Sequence, residues 1–334
     1  MKAVYFEAHG APENIRYGDF PDPHIAPDEC LVRVRAVALN GFDPMILRGI
    51  PGLNTPLPMI PGADIAGDIV AVGESDAARR WTVGQRVTVV PNQHDGMVGE
   101  TRRGGASELF AARAAYLLPI PDNVSFVDAA ALPTAYGAAI RMMETRGKVR
   151  RGERVLILGA SGGVGTCCVQ LAKAAGCEVI ACASSSWKLD RLKALGADHV
   201  IDTATTDFVK AVHEICGKPR TRGVGGGVDV AVNYSGGDSW AQTLRTVRRD
   251  GRILTCGATA GYDPKTDLRY IWSFQLNIVG SNGWTVDDQV ELLRRVGDGR
   301  LKPVIDSVRP LADFRASFDA LSRREVFGKA VLEP

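Results

Sequence analysis

The chain has 334 residues, of which 45% are apolar and 23% charged, and its formal net charge is +2. The length exceeds what one hydrophobic core usually supports, and the composition is that of a globular protein rather than a disordered or fibrous one. The near balance of 40 basic and 38 acidic residues gives no electrostatic reason to expect nucleic acid or anionic lipid as a partner. The sequence therefore predicts two globular domains without a nucleic-acid or membrane partner.

The sequence shows no sign of secretion or membrane insertion. Its first residues go directly into a strand-like alternation, and no apolar run approaches the ~18 residues that a membrane-spanning helix needs. The seven cysteines contain no CxxC pair, and an odd number suits free thiols better than a disulfide framework. We expect a cytoplasmic protein.

The first 125 residues predict short strands separated by turn residues, at 31–37, 65–73 and 85–90. From residue 126 the pattern changes to strands that alternate with helices, which predicts a doubly wound parallel sheet. The strands are expected at 154–159, 178–183, 199–202, 228–233 and 251–256, and the helices at 164–175 and 188–195. We expect the basic stretch 146–151 to be a solvated linker and the glycine-rich stretch 221–227 to be a loop.

A glycine-rich turn follows the first strand of this second region. Ala160-Ser161-Gly162-Gly163-Val164-Gly165 is the dinucleotide-binding pattern G-x-G-x-x-G with alanine in its first position. Gly162 would let the backbone approach a pyrophosphate, and Gly165 would let the following helix pack closely on the strand. The helix N-terminus would attract the phosphates. The turn therefore predicts a bound dinucleotide.

The end of the next strand indicates which dinucleotide is bound. NAD-binding proteins of this kind place a carboxylate about 20 residues beyond the turn to hold the ribose 2′-hydroxyl. Here that region reads Ala183-Ser184-Ser185-Ser186-Trp187-Lys188, with no carboxylate before Asp190. Hydroxyls and an ammonium would hold a 2′-phosphate by charge-assisted hydrogen bonds. Ser184, Ser185 and Lys188 therefore favour NADPH, with a serine helix cap as the other role.

Together these features resemble the medium-chain dehydrogenase/reductase superfamily, in its zinc-free quinone oxidoreductase and enoyl reductase-like branch. The landmarks span the whole chain: the glycine turn, PGADIAG at 61–67, LPTAYG at 132–137, LGAD at 195–198 and FGKAVL at 327–332. The resemblance implies an α/β fold with two domains. A GroES-like β-barrel catalytic domain would comprise residues 1–125, completed by 284–334, and a Rossmann NADP(H)-binding domain residues 126–283.

The resemblance also concerns metal binding. Zinc alcohol dehydrogenases of this superfamily hold the catalytic metal with a cysteine, a histidine and a third ligand, and the matching positions here are Asn40, Ala63 and Ala130. Two alanines and a neutral amide do not provide the three or four donors that zinc needs. No cysteine lies between Cys30 and Cys167, where the structural zinc would need four. We expect no metal.

The resemblance implies catalytic residues in the first domain. Asn40 would lie beside the nicotinamide ribose and the substrate and donate its amide to a developing oxyanion, or it would cap a turn. Asp43 and Asp64 would relay protons or fix loops. Tyr136 is a candidate proton donor, or a core residue. The stretch 43–48 lacks the tyrosine that many of these reductases carry after the Asn40 position.

Further cofactor contacts are implied at Thr134, Gly257, Ser281 and Lys329. Thr134 occupies the family position on the nicotinamide side, and a helix N-cap is its other role. The resemblance also implies a homodimer joined by edge strands. The candidate edge, 275–280, has β-branched residues and lacks the lysine or proline that usually protects an exposed edge.

The implied function is NADPH-dependent hydride transfer to a small molecule, a quinone or an α,β-unsaturated carbonyl compound, without zinc. Hydride addition to the β-carbon of an enone needs no Lewis acid, because the charge spreads to an oxygen that hydrogen-bond donors can stabilise. Three alternatives stay open. They are an alcohol or aldehyde dehydrogenase of the same superfamily, a biosynthetic tailoring reductase or cyclase, and a non-catalytic NADPH-binding protein.

Overall fold

The computed structural model describes all residues from Met1 to Pro334, and they form two compact units. Unit 1 comprises Met1–Gly137 together with Thr285–Pro334, and unit 2 comprises Ala138–Trp284. The C-terminal residues thus belong to the same unit as the N-terminal ones.

The strands, in chain order, are β1 (Lys2–Tyr5), β2 (Arg16–Asp19), β3 (Glu29–Ala38), β4 (Asp64–Val72), β5 (Arg86–Val89), β6 (Asn92–Gln93), β7 (Gly96–Met97), β8 (Leu109–Arg113), β9 (Leu117–Pro119), β10 (Arg154–Ile157), β11 (Glu178–Ala183), β12 (His199–Asp202), β13 (Val228–Val232), β14 (Val247–Thr255), β15 (Asn277–Gly280), β16 (Ile305–Pro310) and β17 (Lys329–Glu333). The α-helices are α1 (Asp43–Arg48), α2 (Phe126–Ala131), α3 (Pro133–Ile140), α4 (Gly163–Ala174), α5 (Ser186–Ala194), α6 (Phe208–Cys216), α7 (Asp238–Thr243), α8 (Leu268–Phe274), α9 (Val286–Gly297) and α10 (Phe314–Ser322). Single 3₁₀ turns occur at Pro12–Asn14, Ala78–Arg80, Ala114–Tyr116 and Leu311–Asp313, and α3 continues into a π-helical turn, Arg141–Arg146. None of the helices has the length and apolar character that crossing a membrane requires.

Unit 1 is built on a seven-stranded sheet. Its strands follow the order β16-β17-β3-β4-β5-β9, and β8 pairs with β3 as well. β3 buries alternate residues from Cys30 to Ala36, as its period-two pattern predicts. The buried faces enclose an apolar core to which α10 contributes Phe314 and Phe318.

The first boundary between the units lies later than residue 125, where the sequence pattern changes. α2 buries Ala129, Ala130 and Ala131, and the hydroxyl of Tyr136 accepts a hydrogen bond of 2.8 Å from the backbone N–H of Val304. These contacts hold α2 and the first turn of α3 in unit 1. The sequence marks where the strand-rich pattern stops, but it does not show on which core the next helices pack.

Unit 2 is a parallel sheet of six strands in the order β12-β11-β10-β13-β14-β15. After Arg154, β10 consists of Val155, Leu156 and Ile157, which are apolar and fully buried. This is expected for a strand of a sheet that helices cover on both faces. From β10 the chain adds β11 and β12 on one side, and it then crosses back to add β13, β14 and β15 on the other side of β10. The direction of strand addition therefore reverses between β10 and β13. A dinucleotide binds at this reversal in proteins of this topology.

Two sequence expectations for unit 2 need correction. The stretch 146–151 is not wholly a linker, because Arg146 ends the π-helical turn and its Nε donates a 2.9 Å hydrogen bond to the carbonyl of Gly280. The edge strand begins at Asn277 rather than at residue 275, because Gln275 adopts left-handed backbone angles at the end of α8. β15 does form the edge of the sheet, as expected.

The exposed edge of β15 generates a prediction about assembly. We propose that β15 pairs with the same strand of a second copy, because Ile278 is 40% exposed and the edge carries no protective charge. Light scattering should give about twice the chain mass of 35.7 kDa. Ile278→Lys should shift the mass toward the monomer, whereas Val224→Lys, at a 96% exposed loop position, should not. A monomeric parent protein at micromolar concentration would refute this pairing.

Candidate functional site

Three neighbouring strands of unit 1 bring three predicted residues together. β3 pairs antiparallel with β17 and with β4, so that Ala38 lies opposite both Val331 and Asp64. Continuing the register of β3 and β17 by two residues places Asn40 opposite Lys329. Asp64 and Lys329 each begin a strand, and Asn40 follows one. Strand register therefore assembles side chains that are up to 289 positions apart in sequence.

The carboxylate of Asp64 is the centre of this group. Its Oδ1 accepts hydrogen bonds from the backbone N–H and the hydroxyl of Thr134, at 3.0 and 2.6 Å. Its Oδ2 accepts from Nδ2 of Asn40 at 2.9 Å and from Nζ of Lys329 at 3.0 Å. We call Asn40, Asp43, Asp64, Thr134 and Lys329 the Asp64 cluster. Asp64 is fully buried and Lys329 only 2% exposed, so their charges compensate each other away from water.

The amide of Asn40 has a fixed orientation. Its Oδ1 accepts a 2.5 Å hydrogen bond from Lys329, and because an ammonium only donates, this end must be the oxygen. Nδ2 uses one hydrogen for Asp64 and keeps the other. Lys329 likewise uses two of its three N–H groups. Two donors are therefore left for a further acceptor.

Asp43 has a different environment from Asp64. Its Oδ2 accepts a 2.6 Å hydrogen bond from the backbone N–H of Asn40, whereas its Oδ1 is buried without a partner. Burial raises the pKa of Asp43 to about 7, against the opposing effects of the Asn40 hydrogen bond and the Lys329 charge. At neutral pH this carboxyl can gain or lose a proton.

The predicted residues of unit 1 divide into two groups. Thr134 and Lys329, expected to contact the cofactor, have their polar atoms bound to Asp64. Thr134 is the second residue of α3 rather than its N-cap, and its hydroxyl donates to Asp64 instead of capping the helix. Tyr136 is fully buried, with its hydroxyl bound to Val304. This is the core position that the sequence left open.

The three positions that match zinc ligands in related dehydrogenases hold no ligand set. Asn40 is committed to Asp64 and Lys329, and Ala63 and Ala130 are fully buried without a donor side chain. No three His, Cys, Asp or Glu side chains of the structure come together in a way that could hold a metal ion.

The glycine turn of unit 2 contains two glycines with different roles. A Cβ on Gly165 would lie 2.5 Å from the carbonyl oxygen of Gly159, so the fold itself requires glycine there. A Cβ on Gly162 would meet nothing closer than 3.6 Å, and its φ of −79° suits any residue. The space beside Gly162 is thus available for a ligand. α4 begins at Gly163 without a side-chain cap, which leaves its first N–H groups for phosphates. The turn fits a dinucleotide.

The start of the turn is anchored to the neighbouring strand β11. Ala160 is fully buried and its N–H donates to the carbonyl of Cys182 in the neighbouring strand, at 3.0 Å. Ser161 is 9% exposed. Val164 and Gly165 follow Gly163 in the first turn of α4.

Tyr234 contacts this turn from the end of β13, and the sequence alone did not indicate it. Its hydroxyl donates a 2.6 Å hydrogen bond to the carbonyl of Gly159 and lies 3.8 Å from the Cβ position of Gly162. Burial raises the pKa of the phenol well above its ordinary value, so the hydroxyl keeps its proton. β13 runs parallel to β10, with Val232 beside Ile157. The residue two positions after β13 therefore lies beside the turn, and that register was the available signal.

The residues expected to select NADPH lie where β11 ends. Ser184 is exposed, and Ser185 is the N-cap residue of α5 without a side-chain cap hydrogen bond. Both hydroxyls are available to a ligand. Lys188 is only 4% exposed, and its Nζ lies 5.3 Å from the ring centroid of Trp187. Its ammonium is therefore less accessible than the sequence indicates.

A cavity of about 900 Å³ lies beyond the ends of β14 and β15, and both Gly257 and Ser281 line it. The hydroxyl of Ser281 is buried and has no hydrogen-bond partner. An unpaired buried hydroxyl is costly unless a ligand or water satisfies it. Gly257 and Ser281, both expected to contact the cofactor, thus line the same cavity. They are distant in sequence from the glycine turn.

Comparisons with known proteins agree with this architecture. A model of the alcohol dehydrogenase GroES-like domain matches residues 26–122, and a model of the zinc-binding dehydrogenase family matches residues 163–297. Crotonyl-CoA reductase of Streptomyces avermitilis is 28% identical, over 92% of this chain and 79% of its own. The synaptic vesicle membrane protein VAT-1 homolog of Rattus norvegicus is 30% identical, over 93% and 78%. The crystal structure of an NAD-dependent alcohol dehydrogenase has 33% identity and a TM-score of 0.90, over the full length of both chains.

The chain belongs to the medium-chain dehydrogenase/reductase superfamily. Its fold combines a GroES-like domain with a Rossmann domain, as the sequence predicts. It is an oxidoreductase of a family whose reductases use a nicotinamide cofactor.

The pKa of Asp43 generates a prediction about stability. Because folding raises this pKa from 3.8 to about 7, the carboxyl destabilises the folded state increasingly as pH rises between these values. Asp43→Asn stays neutral, and its amide oxygen can still accept from the Asn40 N–H. Relative to the parent, its free energy of unfolding should rise by about 2–3 kcal/mol between pH 5 and 8, measured by urea denaturation.

A control for this measurement is Asp95→Asn. Arg113 holds the pKa of Asp95 at about 2, so the difference between this variant and the parent should stay constant from pH 5 to 8. A difference for Asp43→Asn that is also constant over this range would contradict a buried, titrating Asp43.

Proposed function

We propose that the protein is an NADPH-dependent reductase of α,β-unsaturated carbonyl compounds or quinones that works without zinc. The observation that carries this proposal is the Asp64 cluster. Asn40 stands where related dehydrogenases have a zinc ligand, and its amide is held by Asp64 and Lys329. Ala63 and Ala130 offer no donor atoms. An alcohol or a simple ketone needs a Lewis acid more than a conjugated acceptor does.

The dinucleotide supplies a hydride when it is bound. The chain contributes the open space beside Gly162, the uncapped start of α4 and the hydroxyls of Ser184 and Ser185. The absence of a carboxylate after β11 removes the repulsion that a 2′-phosphate would meet. The two hydroxyls and the missing carboxylate after β11 support NADPH over NADH.

The Asp64 cluster supplies donors and a proton. The remaining N–H groups of Asn40 and Lys329 suit an oxygen that gains negative charge, and their orientation is fixed before any substrate binds, so no reorganisation is needed. Both oxygens of Asp64 are occupied, which leaves it the role of balancing Lys329. Asp43, with its unpartnered Oδ1 and a pKa near 7, is the carboxyl that can hold and relay a proton.

The name of one relative supports the same substrate class. A crotonyl-CoA reductase is named for an unsaturated thioester, a conjugated acceptor of the kind proposed. An alcohol dehydrogenase is the second candidate, because a solved structure of that name and 33% identity covers the whole chain. That protein is named as NAD-dependent, so the choice of cofactor and the choice of substrate distinguish the two candidates.

A screen of hydride donors and acceptors tests the proposal. NADPH and NADH oxidation should be followed with quinones, enals, enones and enoyl thioesters, and alcohol oxidation with NAD⁺ and NADP⁺. We expect turnover of at least one conjugated acceptor, with NADPH preferred by at least tenfold in kcat/KM, about 1.4 kcal/mol. Ser184→Asp should erase or reverse this preference, because its carboxylate repels the 2′-phosphate.

Ser322→Asp, at the exposed end of α10 in unit 1, is the matched serine-to-aspartate control and should keep the preference for NADPH. Alcohol oxidation with NAD⁺ and no reduction of any conjugated acceptor would favour the second candidate. Tight NADPH binding without any turnover would favour a non-catalytic role.

A further inference from the structure

Tyr234 lies at the point where the direction of strand addition in the parallel sheet reverses. β10 and β13 are neighbours, with Ile157 beside Val232, and the N–H of Leu158 donates to the carbonyl of Val232 at 3.0 Å. Beyond these strands the chain continues as the glycine turn on one side and as the segment that contains Tyr234 on the other. In open parallel sheets the ligand crevice forms between two such loops. Tyr234 therefore belongs to one of the two walls of this crevice.

The residue before Tyr234 fixes the direction of the phenol. Asn233 is fully buried, and its amide nitrogen donates to the hydroxyls of Ser239 and Thr243 in α7, at 3.1 and 2.9 Å. Its Oδ1 accepts from the backbone N–H groups two and three residues later, at 3.1 and 3.0 Å. Asn233 thus faces α7. Because successive side chains of an extended chain point in opposite directions, Tyr234 faces the glycine turn.

The phenol of Tyr234 spans the crevice. Its hydroxyl donates a 2.6 Å hydrogen bond to the carbonyl of Gly159, and the N–H of Gly165 approaches the same oxygen. The backbone carbonyl of Tyr234 accepts a 3.4 Å hydrogen bond from the N–H of Thr259 and lies 3.6 Å from the Cβ position of Gly257. One residue therefore connects the end of β10 and the start of α4 with the loop after β14.

The same phenol borders the space in which a pyrophosphate would lie. Its oxygen is 3.8 Å from the Cβ position of Gly162, and the side chain is only half-buried, so part of it is open to a ligand. The 2′-phosphate is expected at the end of β11, and β10 separates β11 from β13. The part of the dinucleotide beyond the pyrophosphate therefore extends toward β13. A group that already holds this crevice in its bound form lowers the cost of ordering it when the ligand arrives.

We infer that Tyr234 is a positioning residue for the dinucleotide, because its phenol closes the crevice between β10 and β13 and supports the cofactor between its pyrophosphate and its nicotinamide riboside. The inference rests on the proposed function for the identity of the dinucleotide. It adds to the cofactor site a residue that the glycine pattern does not contain. It gives Tyr234 no contact with the adenosine end, which is expected beside Ser184 and Ser185.

Binding of a whole and of a truncated cofactor tests the inference without turnover. Calorimetry should compare NADPH, which reaches across the crevice, with adenosine 2′-phosphate, which occupies only the site at the end of β11. Tyr234→Phe keeps the ring and removes the hydroxyl, and it should weaken NADPH binding about fivefold, the factor that corresponds to one net hydrogen bond. Tyr234→Leu also removes the ring and should weaken NADPH binding further. Neither variant should change the affinity for adenosine 2′-phosphate.

Tyr17→Phe is the matched control, because Tyr17 is 47% exposed in β2 of unit 1, and it should leave both affinities unchanged. NADPH binding that survives both substitutions of Tyr234 would overturn the inference. An equal loss of affinity for both ligands would also overturn it, because such a loss indicates damage to the whole unit.

Failure of the proposed function gives a different result. If the parent protein binds NADH rather than NADPH, the comparison is repeated with NADH and adenosine, and the outcome for Tyr234 is judged in the same way. A parent protein that binds neither dinucleotide would contradict both the proposed function and this inference.

Discussion

The carboxylate of Asp64 is the interaction on which the site of unit 1 depends. It accepts four hydrogen bonds, from two groups of Thr134 and from Asn40 and Lys329. A buried ammonium and a buried carboxylate are tolerated only when they are paired and their remaining donors and acceptors are satisfied. Through these hydrogen bonds Asp64, at the start of β4, connects the residue after β3, the start of β17 and the start of α3. It also fixes the amide of Asn40 in a single orientation, so catalysis would need little further ordering of these groups.

The same constraint separates the two carboxylates of the cluster chemically. Asp64 has every lone-pair direction used by a donor, whereas Asp43 has one oxygen without a partner. The pKa of Asp43 is therefore raised by burial, and this carboxyl can exchange a proton near neutral pH. Two acidic side chains in one small region thus have different environments, because Asp64 is paired with Lys329 and Asp43 has one oxygen without a partner. Environment rather than residue type creates this difference.

Local patterns in the sequence predicted most of the fold. The alternation in β3, the apolar run of β10 and the glycines of the turn each follow from near neighbours along the chain, and the structure has the corresponding elements. Asn40, Asp43 and Asp64 were named as catalytic candidates because the resemblance to the family implied them. What local patterns could not show is register between distant strands. Lys329 lies opposite Asn40 only because β17 pairs with β3, and Tyr234 reaches Gly159 only because β13 pairs with β10.

Helix type was a second source of error. The basic stretch beginning at Arg146 has no apolar periodicity, so it indicated a solvated linker. The extension of α3 by a π-helical turn instead carries Arg146 to the cavity wall. The compact units divide after Gly137, beyond the change of pattern at residue 126, because amphipathic periodicity shows that a helix has a buried face but not which core covers it.

We propose that a hydrogen-bonded network, rather than a metal ion, organises the site around Asn40. The most direct test is elemental analysis of protein purified without a metal-binding tag, combined with activity toward a conjugated acceptor before and after treatment with a chelator. The account predicts well under one zinc per chain and unchanged activity after the chelator. Stoichiometric zinc that is removed together with the activity would contradict it.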